Sequence, residues 1–127
     1  MSIQKINPAS MGGEPAAYSN GMLADSGKTL YIAGQIGIDA KGVASSDVAA
    51  QCRQAWANVE AILAEAGMGI ENIAKTTIFL VSPSDYPAFV EVRKEVLKGH
   101  KPASTLVYVS ALVKPEWKVE IDVIAVK

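Results

Sequence analysis

The chain is short of cysteine, of net charge and of long apolar runs, and each shortage closes off a class of protein. Its single Cys52 can form no internal disulfide. Net charge is −1 with lysine and arginine scattered, so there is no basic stripe of the kind that phosphate neutralisation along a nucleic acid requires. No apolar run reaches the roughly 20 residues of a membrane span, and Met1-Ser2-Ile3-Gln4-Lys5 lacks the apolar core of a signal peptide. The expectation is a soluble cytoplasmic protein with no nucleic-acid and no membrane partner. What is present is apolar: hydrophobic residues make up 50 % of 127, charged residues only 20 %, and mean hydropathy is +0.19. A chain of this length forms one domain, 1–127, burying roughly two-thirds of its unfolded surface. So apolar a composition at this size implies that some surface faces another subunit.

Taken in order, Ile3 to Ile6 makes a short strand ended by Asn7-Pro8, and residues 9–15 are a loop by composition. Tyr18 to Ala24 and Thr29 to Ile36 are β-prone runs on either side of Asp25-Ser26-Gly27-Lys28, which reads as a hairpin turn joining an antiparallel pair. Gly34 interrupts the second run, a mark of a bulge or of close approach by a backbone or ligand. Ser46-Asp47 starts a helix, with Ser46 as cap, that runs to about Ala66. Val48, Cys52, Ala55, Val59, Ile62 and Ala66 form its apolar stripe, while Gln51, Gln54, Asn58 and Glu65 lie elsewhere. Cys52 is thus a core residue and no nucleophile. After Gly67, Ile73 to Val81 is a strand, and Ser82-Pro83-Ser84-Asp85 caps a second helix over about Asp85 to Lys98, with Pro87 in its first turn. His100, just beyond, reads as a solvated loop residue.

The segment from Lys101 to Ser110 carries the first candidate site. Gly99 ends the helix, Pro102 forbids its continuation, and the chain enters a strand at Ala103, so Ser104 and Thr105 sit at a strand mouth with hydroxyls and N–H groups that hold an anion or carbonyl or else satisfy local backbone. The last strand, Lys118 to Val126, carries the second. Val119, Ile121, Val123 and Ala125 share one face, and Glu120, Asp122, Ile124 and Val126 the other. A carboxylate at the polar start of a face that turns apolar is placed to be partly desolvated, which makes Glu120 the strongest chemical candidate.

The order β-β-β-α-β-α-β-β contains two strand–helix–strand crossovers, each of which places its helix on the same side of one mixed sheet. The fold class is therefore α+β: a mixed six-stranded β-sheet with two helices on one face. Apolar neighbours such as Leu106-Val107-Tyr108-Val109 require the opposite face to be covered as well, and self-association around a symmetry axis supplies the cover.

Tyr18-Ser19-Asn20-Gly21, Ile32-Ala33-Gly34-Gln35-Ile36, Asn58-Val59, Lys75-Thr76-Thr77-Ile78-Phe79-Leu80, Pro102-Ala103-Ser104-Thr105 and Val119-Glu120-Ile121 together resemble the Rid proteins, the reactive-intermediate deaminases of the YjgF type. The resemblance covers nearly the whole chain. It implies a homotrimer whose sheets form a central barrel, with small-molecule clefts at the subunit interfaces. It also implies hydrolysis of imines and enamines such as 2-aminoacrylate, without cofactor or metal. In active members an arginine after the Pro-Ala pair grips the substrate carboxylate; here Ser104 stands at that position. The water-holding glutamate is matched by Glu120, the hairpin tyrosine by Tyr18 and the cleft-lining glycine by Gly34. Ala33 replaces a serine and Val90 an asparagine.

Two functions follow. One is a deaminase or related hydrolase acting on a small imine, enamine or amide, with Glu120 orienting water, Tyr18 closing the cleft, and Ser104, Thr105 and the local N–H groups as far as Leu106 holding a polar substrate group. The alternative is a non-catalytic small-metabolite-binding or regulatory trimer, which the loss of the arginine favours. A nuclease is disfavoured, since no phosphate site is legible.

Overall fold

The computed structural model describes residues 3–25 and 27–127. Six strands and two helices occur in the expected order: β1 (Ile3–Ile6), β2 (Gly21–Ala24), β3 (Thr29–Ile36), α1 (Val48–Glu65), β4 (Ile73–Leu80), α2 (Tyr86–Leu97), β5 (Ala103–Tyr108) and β6 (Val119–Val126). They do not form one six-stranded sheet. β3, β6, β4 and β5 make a four-stranded sheet in that order, with β4 and β5 parallel and the other pairs antiparallel, while β1 and β2 pair separately. The expected β2–β3 hairpin is likewise absent as a ladder. β2 takes β1 as its partner and β3 takes β6, and Lys28 exchanges backbone hydrogen bonds with Lys127. The turn itself includes Ser26, which lies outside the described residues. The physical reason is competition: two β-prone runs flanking a turn sequence pair with each other only if neither finds a better ladder, and β6 offers β3 a long apolar one.

α1 begins one residue later than expected. Asp47, not Ser46, is the cap, its carboxylate accepting from the Ala50 N–H at 2.9 Å. The helix closes on Ala66, and Gly67 after it turns the chain away at a φ of 71°, a conformation that favours a residue lacking Cβ. Its buried face holds Cys52, Ala55, Trp56, Val59 and Leu63, and also Gln51, which the sequence reading had placed on the polar side. Gln51 is buried because its amide is fully used: Nε2 donates to the carbonyls of Ser45 and Glu116, and Oε1 accepts from the Lys118 N–H. This one side chain ties the start of α1 to the start of β6. α2 carries Pro87 in its first turn, buries Phe89, Val92 and Leu97, and ends on Lys98 and Gly99, both in left-handed conformation.

Both helices pack on one face of the four-stranded sheet, closing a core that includes Ile32, Ile78, Leu80, Val119, Ile121 and Val123. Alternation then sends Lys75, Thr77 and Phe79 of β4, Thr105 and Val107 of β5, and Glu120, Asp122 and Ile124 of β6 to the face that no helix covers. Exposed apolar side chains collect there and at the sheet edges: Tyr31 is 75 % exposed. Among the described residues no helix is long and apolar enough to cross a membrane, and no group of side chains has the makings of a metal site.

Candidate active site

Glu120 occupies the first turn of side chains on β6, half-buried, opposite Phe79 of β4 and Ile36 of β3. The β3–β6 register shifts between Ile32 and Gln35, a bulge with Gly34 inside it. The missing side chain at Gly34 is what admits the glutamate: a Cβ there would lie 2.7 Å from Glu120 Cδ and closer still to Oε2. Glycine is required here for space, so the sequence sign of a mid-strand glycine is resolved as close approach by a side chain. Among the described residues the Glu120 carboxylate has no ion-pair or hydrogen-bond partner, which leaves both oxygens available as acceptors. It opens onto a cavity of about 410 Å³ whose walls are apolar, formed by Phe79, Val109, Leu112 and Val113.

The second group lies at the other edge of the sheet. Ser19 pairs with Ala103 through a parallel bridge, its N–H donating to the Pro102 carbonyl at 3.0 Å and its hydroxyl to the Lys101 carbonyl, which sets Tyr18 beside the start of β5. Tyr18 is exposed. Ser104 faces the helix side of the sheet, accepting at Oγ from the hydroxyl of buried Thr76 at 2.9 Å. Leu106 shares that side and packs on the core. Thr105 points to the open face, where its hydroxyl accepts from Lys75 Nζ at 2.7 Å. His100 is no solvated loop residue: half-buried, its Nε2 donates to the Ile73 carbonyl at 2.8 Å and fixes the bend between α2 and β5.

The structure thus brings Gly34 and Glu120 together, and Tyr18 next to the Ser104–Leu106 strand, but it does not join the two groups within one chain. β5 and β6 are separated by β4, and the register sets Glu120 two residues along from the position opposite Thr105, so the two stand roughly 12 Å apart at the usual strand spacing and rise. A molecule of a few carbons does not span that gap. Two residues near these groups escaped the sequence reading. Lys75 was legible only as part of a β-run, and its place on Thr105 comes from the β4–β5 register. Arg93 lies one helical turn beyond Val90, a spacing that puts both on one face of α2.

The family model described as endoribonuclease L-PSP matches residues 11–127. Human 2-iminobutanoate/2-iminopropanoate deaminase is 35 % identical over 124 residues, covering 96 % of this chain and 88 % of its own length. The deaminase of the same name from Salmonella typhimurium is 36 % identical, covering 81 % and 83 %. Among solved structures, the Rid-family protein YyfB of Yersinia pestis superposes with a TM-score of 0.88 at 31 % identity over the full length of both chains. E. coli TdcF, solved with bound serine, gives 0.75 at 32 % identity, covering 89 % of this chain and 90 % of that one. With the strand–helix order, the Gly34–Glu120 contact and the Tyr18–β5 junction in place, the chain belongs to the Rid family of YjgF-type proteins, whose family model carries the endoribonuclease L-PSP description.

Proposed function

We propose that this protein is a deaminase, or a closely related hydrolase, of small imines or enamines, acting in clefts formed between the subunits of a homotrimer. The observation that carries the reading is the Glu120 carboxylate, unpartnered and lodged over Gly34 at the mouth of an apolar cavity. A carboxylate in such a place accepts a hydrogen bond from one water molecule and aims the oxygen lone pair at a carbon held against the apolar wall. As the water oxygen bonds to the C=N carbon, one of its protons passes to Glu120, which delivers it to the nitrogen. In the resulting carbinolamine the hydroxyl proton is passed to the nitrogen by the same carboxylate as the C–N bond breaks, releasing ammonia and leaving a carbonyl group. The names of the relatives, imine deaminases at about 35 % identity, support this chemistry.

The subunit-interface element of the reading is supported by the separation of the two half-sites. Glu120 with Gly34 lies towards the β3 edge and Tyr18 with Thr105 at the β5 edge, so edge-to-edge association of copies completes a cleft that one chain leaves open. The polar groups on offer at the β5 edge are neutral hydroxyls or one lysine, with Ser104 in the place of a guanidinium. Losing a charge-assisted contact costs roughly 1.5 to 3 kcal/mol, about ten- to a hundredfold in rate or affinity. Weak turnover of 2-aminoacrylate is therefore expected, with better turnover of imines that carry no carboxylate beside the reacting carbon.

The test is ammonia release from a panel of imines with and without that carboxylate. Ser104→Arg should raise turnover of the carboxylate-bearing members selectively. Wild-type turnover of 2-aminoacrylate equal to that of an arginine-bearing relative in the same assay would remove Ser104 from the assigned position. The same absence of arginine favours the second reading, a trimer that binds a small metabolite without turning it over. Clear binding with no ammonia release from any imine would establish that alternative.

A further inference from the structure

Ser104 puts no charge on β5, yet a cationic cavity lies a few residues upstream of it. The cavity holds about 170 Å³ between α2 and the segment leading into Tyr18, and Ala16, Ala17, Val90, Arg93, Lys94 and Lys101 line it; no acidic side chain does. Two of its three permanent cations are already occupied. Lys94 meets Glu91 at 3.5 Å, and Lys101 meets Glu14 at 2.7 Å. Arg93 has no carboxylate partner among the described residues; its guanidinium carbon sits 5.4 Å from the centre of the Phe89 ring, an arrangement that orients the group without using its five donors. His100, the remaining polar wall, is held by the Ile73 carbonyl through Nε2. The edge already attracts a carboxylate of the chain itself: the hydrogen bond from Lys101 holds the Glu14 carboxyl below its ordinary range.

We infer that this cavity is a binding site for a small carboxylate, gripped by the Arg93 guanidinium and separate from the Glu120 cavity, with which it shares no wall residue. The planar fork of a guanidinium matches two carboxylate oxygens through parallel hydrogen bonds. The volume equals about five or six water molecules at roughly 30 Å³ each, room for an acid of a few carbons and not for a nucleotide. One unpaired cation balances the single charge of a carboxylate, whereas a phosphate dianion calls for a second. The binding does not depend on the deaminase reading above.

The experiment titrates the protein calorimetrically with 2-oxobutanoate, inorganic phosphate and butanone, alongside Arg93→Gln, Arg93→Lys and, as a control at the other arginine, which lies outside the cavity wall, Arg53→Gln. Thermal melting checks that each variant is folded. Binding of 2-oxobutanoate but not butanone is expected, tenfold or more weaker in Arg93→Gln, partly kept in Arg93→Lys and unchanged in Arg53→Gln. Unchanged affinity in Arg93→Gln, no binding of 2-oxobutanoate by wild type, or phosphate binding more tightly than the acid would each overturn the inference. If Arg93→Gln does not fold, Arg93→Lys decides: full affinity there, where the fork is gone, contradicts the bidentate grip. Ammonia release measured on the same samples separates the two readings. Turnover with acid binding that ignores Arg93 sinks the subsite alone, and Arg93-dependent binding without turnover of any imine sinks the deaminase alone.

Discussion

The two faces of the four-stranded sheet are made by alternate residues of the same strands, and they obey different rules. On the helix side, Val119, Ile121 and Val123 of β6 are at most 1 % exposed, as are Ile78 and Leu80 of β4, and all of them share one core with the buried residues of α1 and α2. On the open side the neighbouring residues are Glu120, Asp122, Thr77, Lys75 and Thr105, interleaved with Phe79, Val107 and Ile124. One face is complete within a single chain. The other mixes charge with apolar area, a combination that neither bulk water nor an ordinary core favours, and that suits an interface enclosing a small polar ligand. Function is to be sought on the face whose composition the monomer leaves unexplained.

Substitutions on the helix side should cost the most in stability. Ile78→Ala removes a fully buried side chain and should lower unfolding free energy by about 2 to 5 kcal/mol, read as a lowered urea midpoint. An unchanged midpoint would mean that the two faces do not differ as described. Two glycines sharpen the contrast. At Gly37 an added Cβ would lie 2.6 Å from the Gln51 Cα, a backbone atom that cannot swing aside, so Gly37→Ala should destabilise by about 1 to 3 kcal/mol. At Gly34 the obstacle is the end of the Glu120 side chain, which can move. Gly34→Ala should therefore melt close to wild type yet lose tenfold or more in ammonia release, because the carboxylate is displaced. Loss of the fold with Gly34→Ala would make that glycine structural.

The open face itself is tested by mass. Light scattering at micromolar concentration should give about three times the 13.4 kDa of one chain, and Tyr31→Glu, which places a charge on that face, should shift the population towards smaller species. A monomer in wild type would remove the interfacial cleft. The smallest effect is expected at Cys52. Fully buried, its thiol is pushed up to about 12, first by loss of solvation and then by the Asp85 charge, and it should resist alkylation at neutral pH in the folded protein. Because the folded value is raised above the ordinary 9.0, the protonated thiol's contribution is complete below pH 9 and is lost as pH rises from there towards 12, so Cys52→Ala should flatten the alkaline side of the stability profile.

Much of this was legible in the sequence wherever a local period fixed the answer. The alternation of β6 separated Val119, Ile121 and Val123 from Glu120 and Asp122, and the spacing along α1 picked out Cys52, Ala55 and Val59. What the sequence hid was set by partners far along the chain. Gln51 reads as a surface residue until the carbonyls of Ser45 and Glu116 and the N–H of Lys118 are brought around it. The pairing of β3 with β6 across some ninety residues defeated a well-formed turn signal at 25–28. At the site, Glu120 and Gly34 were each visible as odd residues in strands, but only the bulge showed that one makes room for the other. Ser104 and Thr105, adjacent in sequence, proved to face opposite sides of the sheet, with only Thr105 sharing a face with Glu120.

Ammonia release by wild type and by Glu120→Gln, across a panel of imines, tests whether the Glu120 carboxylate activates the attacking water. The amide keeps the shape of the carboxylate and its fit over Gly34 but cannot take up the proton of the attacking water. Melting temperature and ligand binding should be retained while turnover falls by about 10² or more, the usual worth of positioned acid–base catalysis. Turnover that survives Glu120→Gln unchanged would remove Glu120 from the mechanism and place the chemistry elsewhere on the molecule.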